Sequence, residues 1–204
     1  MMNLAIFCAD VGSIKKNKFG WAAVLSDDEE LSGTDIREFA KEIVKQIEKN
    51  TKVAIGFECP LFVPVRSNPV FVNSVRNGEG NRSWSAGAGT GALATGLVEV
   101  LWVFNEISRI LGKKPQAVFQ WPKFLDSESI FLWEAFVTST AKGAGHTHDA
   151  LSAVTQFKNS LPDPMRINAI EETDVFSLVG AAALRAGWSY DTSILSEQCL
   201  VIKA

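Results

Sequence analysis

The sequence predicts an α/β domain whose sheet begins as an antiparallel hairpin and continues with parallel strands, flanked by helices. Two apolar runs, Leu4–Val11 and Phe19–Leu25, are separated by a short polar turn, which is typical of a hairpin. A third run, Val53–Phe57, follows an amphipathic helical stretch. The order strand, helix, strand favours a right-handed crossover and a parallel strand pair.

Length and composition limit the classes of protein to consider. The chain has 204 residues, which fits one domain spanning 1–204. A net charge of −3, from 20 basic and 23 acidic residues, excludes a generally basic nucleic-acid binder but not an enzyme that meets nucleic acid at a local site. There is no apolar run of about 18 residues and no leader pattern, so a cytoplasmic protein without a membrane partner is expected.

The first helix is predicted from its N-cap and its apolar stripe. Thr34 or Asp35 fits the N-cap, Glu38 is placed to support it, and the helix ends near Asn50. Apolar residues recur at helical spacing, namely Ile36, Phe39, Ala40, Ile43, Val44 and Ile47.

The stretch Cys59–Ser85 has no sustained periodicity, and its apolar content indicates a packed, ordered loop. Arg66, Arg76 and Arg82 give it local positive charge, so they are predicted to contact phosphates. Ion pairing with nearby acids is the alternative.

The later elements follow from apolar runs and from breakers. Glycines at positions 87 to 96 lead into a long helix, where they fit either tight packing on the sheet or the approach of an anion to helix amides. Further elements are predicted as strands at Ala117–Gln120, Ile130–Val137 and Cys199–Lys203, and as helices at Thr147–Ser160 and Thr173–Ala186.

Cysteine and histidine usage excludes two kinds of site. The cysteines Cys8, Cys59 and Cys199 are odd in number and widely spaced, so a disulfide framework is not expected. With only two histidines and no C-x-x-C pair, soft ligands for structural zinc are too few. Cys59 lacks a local base that would make it a nucleophile.

Four carboxylates stand where a charge is costly unless something pairs with it. Asp10, Glu58 and Glu134 lie on predicted strands, and Asp174 begins the apolar last helix. Each also has a purely structural alternative: a turn after Asp10, solvent exposure of Glu58 or Glu134, and stabilisation of a helix N-terminus by Asp174. If the acids converge, their oxygens suit Mg²⁺ or Mn²⁺. Two such ions about 4 Å apart support phosphodiester hydrolysis.

Several short motifs are similar to those of the ribonuclease H-like fold: the strand ending in Asp10, the hairpin partner Phe19–Ala22, the strand end Gly56–Leu61, and Asp174 ahead of Ala181–Ala183. The closest likeness is to the family called domain of unknown function 429, and RuvC-type resolvases are more distant. This resemblance implies a ribonuclease H-like mixed sheet over most of the chain.

By this resemblance, Asp10 matches the acid of the first strand, and Glu58 matches the acid that family members place before a proline on the central strand. Glu134 resembles the acid of the last core strand, and Asp174 resembles the acid of the final helix. The resemblance therefore implies that these four residues are catalytic. It also implies that Lys142, next to Gly143, is a further phosphate contact.

The third metal ligand has two candidates. The segment His146–Leu151 also resembles a resolvase-like final helix, so Asp149 competes with Asp174. Asp174 is preferred because its predicted helix is more apolar and comes last. The expected metal ligands are Asp10, Glu58 and Asp174, with Asp149 as the alternative.

The predicted function is a metal-dependent nuclease or phosphodiesterase that uses Mg²⁺ or Mn²⁺ and meets a nucleic acid or a nucleotide at a local site. One alternative is an actin-like nucleotide-binding phosphotransferase, because Asp10–Ser13 resembles the first phosphate loop of that group. It would require a homodimer. The other alternative is a non-catalytic binding protein with the same fold, whose carboxylates would lie too far apart to share an ion.

Overall fold

A computed structural model describes residues 3–138 and 145–204. The strands are β1 (Leu4–Asp10), β2 (Gly20–Val24), β3 (Glu30–Gly33), β4 (Lys52–Glu58), β5 (Phe62–Pro64), β6 (Gln116–Val118), β7 (Ser129–Phe136), β8 (Val175–Ser177) and β9 (Leu200–Lys203). The helices are α1 (Ile36–Glu48), α2 (Gly87–Leu111), α3 (Trp121–Leu125), α4 (His146–Asn159) and α5 (Leu178–Ala186). The predicted α/β class is confirmed.

The central sheet has the strand order β3-β2-β1-β4-β7-β6, and β9 also pairs with β7. β1 is antiparallel to β2 and parallel to β4, and β4 is parallel to β7. The predicted antiparallel start followed by parallel strands is therefore confirmed. Because β1, β4 and β7 run in the same direction, they end at one edge of the sheet, which we call the carboxyl edge.

Side-chain alternation divides the core into two layers. Ala5, Phe7 and Ala9 of β1 belong to a cluster with α1, α2 and α5, on what we call the α2 face of the sheet. Leu4, Ile6 and Cys8 belong to a cluster with α4 on the opposite α4 face. Whether a residue holds an odd or an even position along its strand therefore decides which helices its side chain contacts.

The prediction of one helix over Thr173–Ala186 is wrong at its start. Val175–Ser177 forms β8, which is antiparallel to β5, and α5 begins only at Leu178. The Ser177 side chain caps α5 by accepting the Gly180 N–H at 3.1 Å. Backbone pairing with β5 holds β8 extended, a partner that the apolar pattern alone does not reveal.

By length and composition, α2 would be able to cross a membrane. One such helix says little about location, because long core helices of soluble proteins pass the same test. Val100, Val103, Phe104 and Ile107 of α2 are buried in the α2-face cluster. The cytoplasmic location stays a prediction.

Candidate metal centre

Asp10 and Glu58 end neighbouring parallel strands and lie directly opposite each other in the β1–β4 register. By alternation both belong to the α4 face, since Asp10 follows Cys8 and Glu58 follows Gly56 at a spacing of two. Taken as a whole residue, Asp10 is only 7% exposed. Strand pairing alone therefore brings two carboxylates together at the carboxyl edge.

The third acid of the centre is Asp149, in the first turn of α4. Helix α4 packs on β1 and β2, with its start at the carboxyl edge. Gly20 permits this approach, because a Cβ there would lie 2.5 Å from the Thr147 nitrogen. One ligand oxygen from each of Asp10, Glu58 and Asp149 lies within 4.8 Å of the others. We call these three residues the acidic triad.

His146 stands one helical turn before Asp149, so both side chains reach the same side of α4. Its Nδ1 atom contacts Oδ2 of Asp10. The His146 side chain is 40% exposed, whereas that of Asp10 is 11% exposed. The imidazole thus orients one carboxylate of the acidic triad from the solvent side.

Helix α2 crosses the carboxyl edge from the other face and contacts the residues that follow two of the acids. A Cβ on Gly96 would lie 2.4 Å from the Cys59 sulfur, so only glycine lets α2 approach the end of β4 this closely. Three residues further along, the Glu99 Oε2 atom accepts the Gly12 N–H at 3.3 Å. Glu99 was missed in the sequence analysis, although a single acid on an otherwise apolar helical face could have indicated it.

Burial raises the pKa of Glu99 to about 7; the Gly12 N–H opposes this increase, and the charge of Asp10 adds to it. The native state therefore holds this proton more tightly than the unfolded chain does. Its contribution to stability is complete below the ordinary pKa of 4.5 and is lost as the pH rises through about 7.

Glu99→Gln is expected to remove this pH dependence, because the amide oxygen still accepts the Gly12 N–H and carries no charge. In urea unfolding with chelator present, the variant should be more stable than the wild type by about 2 kcal/mol near pH 8, since solvent screening reduces the full effect of the shift. The difference should vanish below about pH 4.5. A difference that is the same at all pH values would contradict this assignment.

Glu134 does not join the acidic triad, and its predicted assisting role at the metal is corrected. In the β4–β7 register it lies opposite Phe57, not Glu58, so it belongs to the α2 face. It is 1% exposed, and its Oε2 accepts the Leu61 N–H at 2.8 Å. Glu134 thus fixes the turn that follows Glu58.

Arg76 is 1% exposed and binds Glu134 through two hydrogen bonds, of 2.8 and 2.6 Å. Its Nε also donates to Glu79 at 3.1 Å. Burial by itself lowers the pKa of Arg76, but the carboxylates of Glu134 and Glu79 outweigh burial and leave the pKa raised. The guanidinium of Arg76, which the sequence analysis assigns to a phosphate, is therefore occupied by buried acids in the structure.

The other predicted phosphate contacts differ in their surroundings. Arg66 forms a bidentate ion pair with Glu172, both hydrogen bonds being 2.7 Å long. Arg82 is exposed and donates to the Val137 carbonyl at 3.4 Å, just beyond the end of β7. Lys142 lies outside the described residues. Of the three arginines, Arg82 is the one whose exposure and position near the end of β7 best fit the predicted phosphate contact.

Asp174 is corrected as the third metal ligand. It is exposed, precedes β8 and not a helix, and its backbone carbonyl accepts the Val65 N–H at 3.0 Å. The group of ligand atoms contains Asp149 instead. The alternative named from the sequence is therefore the residue that the fold brings to Asp10 and Glu58.

The cysteines Cys8, Cys59 and Cys199 are free and buried, in agreement with the expected lack of a disulfide framework. Burial raises the pKa of the Cys59 thiol well above its usual value, and the charge of Glu134 adds to this effect. The thiol therefore stays protonated near neutral pH, which is unsuited to a nucleophile.

Comparison of the chain with protein-family models, with curated proteins and with solved structures found no match. The class that the fold and the site define is an α/β protein with a buried acidic triad that could hold a metal ion.

Proposed function

We propose that this chain is a divalent-metal-dependent phosphodiester hydrolase with a ribonuclease H-like fold. The observation that carries the proposal is the acidic triad, whose ligand oxygens lie within 4.8 Å of one another at the carboxyl edge. The sheet order β3-β2-β1-β4-β7 and the helices on both faces support the fold assignment.

The donor set fits Mg²⁺ or Mn²⁺. Carboxylate oxygens are the ligands these hard cations prefer, whereas soft metals favour thiolates. Two oxygens on opposite sides of one ion, each about 2.0–2.6 Å from it, are about 4–5 Å apart, which agrees with the spacing of the triad. Asp10, Glu58 and Asp149 would hold the ion, and His146 would orient Asp10.

Such an ion, when bound, would polarise a phosphoryl oxygen and lower the pKa of a water. The residues of this chain supply the rest. The burial of Asp10 and Asp149 lowers the local dielectric, which strengthens their interaction with any charge at the centre. In hydrolysis, water adds to phosphorus, the ester P–O bond breaks, and the leaving oxygen gains a proton.

A specific observation speaks against the non-catalytic alternative, since that alternative expects carboxylates too far apart to share an ion. Within the described residues, the strand register and the start of α4 bring three of them together. The nucleotide-binding alternative and its homodimer stay predictions.

Hydrolysis of bis-p-nitrophenyl phosphate tests the proposal. The wild type is expected to be active with Mn²⁺ and inactive with chelator. Asp149→Asn should lower the rate by roughly 100-fold or more, because it removes a metal ligand. Asp174→Asn, the matched control, makes the same chemical change at an exposed acid outside the triad and should retain the wild-type rate within about twofold. Equal losses in both variants, or no metal-dependent activity, would refute the proposal.

A further inference from the structure

The loop between β1 and β2 begins directly after Asp10 of the acidic triad and carries three lysines. Lys15, Lys16 and Lys18 are all exposed, and they follow Asp10 by five to eight positions in the sequence. Their segment contains a single 3₁₀ turn, Ile14–Lys16. We call these residues the loop lysines. From the sequence alone, this segment is predicted only as a polar turn.

The backbone of this loop is held in one conformation. The N–H groups of Lys16 and Lys18 both donate to the Ser13 carbonyl, at 3.0 and 3.1 Å. Gly12 allows the loop to fold back, because a Cβ there would lie 1.9 Å from the Lys18 carbonyl oxygen. The Gly12 N–H is in turn held by Glu99. The loop lysines thus start from fixed positions at the carboxyl edge.

Ion pairing among the described residues does not use the loop lysines. The pairs formed there engage other cations, namely Lys45, Arg66, Arg76, Arg109, His146, Lys158 and Arg166. The three lysines therefore add local positive charge to this loop, on a chain whose net charge is −3. Local charge of this kind attracts anions whatever the overall charge.

Arg82 provides an exposed cation on the other side of the triad, beside the end of β7. Along the carboxyl edge the order is loop lysines at β2 and β1, acids at β1 and β4, and Arg82 at β7. At about 4.8 Å between strands, β2 and β7 are about 14 Å apart. Cations therefore lie on both sides of the acids, where the phosphates that neighbour a bound phosphodiester would lie.

We propose that the loop lysines and Arg82 bind the phosphate backbone of a polynucleotide on both sides of the bond to be cleaved. This inference rests on the proposed function. Lysines act as flexible point charges, which suits contacts with phosphates and not with bases. The substrate class is therefore a nucleic-acid strand and not a single nucleotide. The backbone phosphates are common to DNA and RNA, so both are tested.

Binding of labelled oligothymidine and oligouridine is measured by fluorescence anisotropy, with Ca²⁺ in place of Mn²⁺. The triple variant Lys15→Gln, Lys16→Gln, Lys18→Gln is expected to bind more weakly. It should also lower the slope of log K against log salt concentration by about 2, since each contact with a single strand contributes about 0.7. Binding of either strand supports the proposal and identifies the sugar that is accepted.

A matched triple variant makes the same charge change away from the site: Lys49→Gln, Lys113→Gln, Lys123→Gln. These lysines are exposed and precede β4, β6 and β7, at the opposite edge of the sheet. This control should keep the wild-type slope. Equal slopes in both triple variants would overturn the proposal, as would displacement of the oligonucleotide by thymidine monophosphate at equal phosphate concentration.

Hydrolysis of the small diester bis-p-nitrophenyl phosphate separates this inference from the proposed function. If the wild type hydrolyses the small diester but binds neither oligonucleotide, polynucleotide recognition fails and the hydrolase assignment stands. If the oligonucleotides bind as expected but no diester is hydrolysed, the hydrolase assignment fails.

Discussion

Arg76→Ala is expected to lower the free energy of unfolding by about 3–5 kcal/mol, the usual cost of removing one partner from a buried ion pair. Glu134 and Glu79 would remain buried, at 1% and 3% exposure, without the guanidinium that neutralises them. The loop after β4 would also lose its ties to Glu134 and to the Phe62 carbonyl. Urea unfolding monitored by tryptophan fluorescence measures the loss.

Two companion variants make this prediction specific. Arg109 pairs with Glu106 on the surface and is 68% exposed, so Arg109→Ala should cost far less stability than Arg76→Ala. Adding Glu134→Gln to Arg76→Ala should recover part of the loss, because an amide is less costly to bury than an unpaired carboxylate. If Arg76→Ala and Arg109→Ala cost the same, the buried cluster does not stabilise the fold as described.

Asp10→Asn is expected to abolish stabilisation by Mn²⁺. An ion that binds only the native state at 100 times its Kd adds about 2.7 kcal/mol to the wild type. The variant loses one carboxylate of the acidic triad and the one that His146 contacts. Its affinity for Mn²⁺ should fall by more than the roughly 10–100-fold loss that follows mutation of a residue that supports a metal ligand.

Thermal unfolding at increasing Mn²⁺ concentration, with a chelator blank for each protein, measures this effect. Asp174→Asn is again the matched control, since it removes an exposed charge outside the triad. It should be stabilised by Mn²⁺ as the wild type is. Stabilisation of Asp10→Asn equal to that of the wild type would place the ion elsewhere.

The alternation of side chains along a strand makes two of the three triad residues, Asp10 and Glu58, predictable from the sequence. Asp10 and Glu58 each end a short apolar run, and β-alternation places each on the same face as small or apolar residues of its own strand. A parallel pair formed by those runs brings both acids to one edge. The structure confirms the pairing, with the two residues in direct register.

The roles of Glu134 and Asp174 depended on information that the sequence does not contain. Glu134 has the alternation expected of a buried acid, but the register between β7 and β4 places it opposite Phe57 and toward Arg76. Asp174 precedes an apolar run, yet the first part of that run pairs with β5. Register and long-range strand pairing depend on the whole fold, not on local pattern.

For two features of the centre, a local pattern in the sequence is informative. Glu99 lies on the same face of α2 as Gly96 and Val103, as a helical-wheel projection of this segment shows. The loop lysines follow the first predicted strand directly, at the edge where the acids were expected to converge. Charge near a predicted site is thus informative at the scale of one loop, even when net charge is not.

Anomalous diffraction from crystals soaked in Mn²⁺ tests the central claim most directly. We expect an anomalous peak within ligand distance of carboxylate oxygens from Asp10, Glu58 and Asp149, about 2.0–2.3 Å away. The same soak of Asp10→Asn crystals should show no peak there. A wild-type crystal with no peak among these three carboxylates, or with its peak at Asp174, would contradict the account.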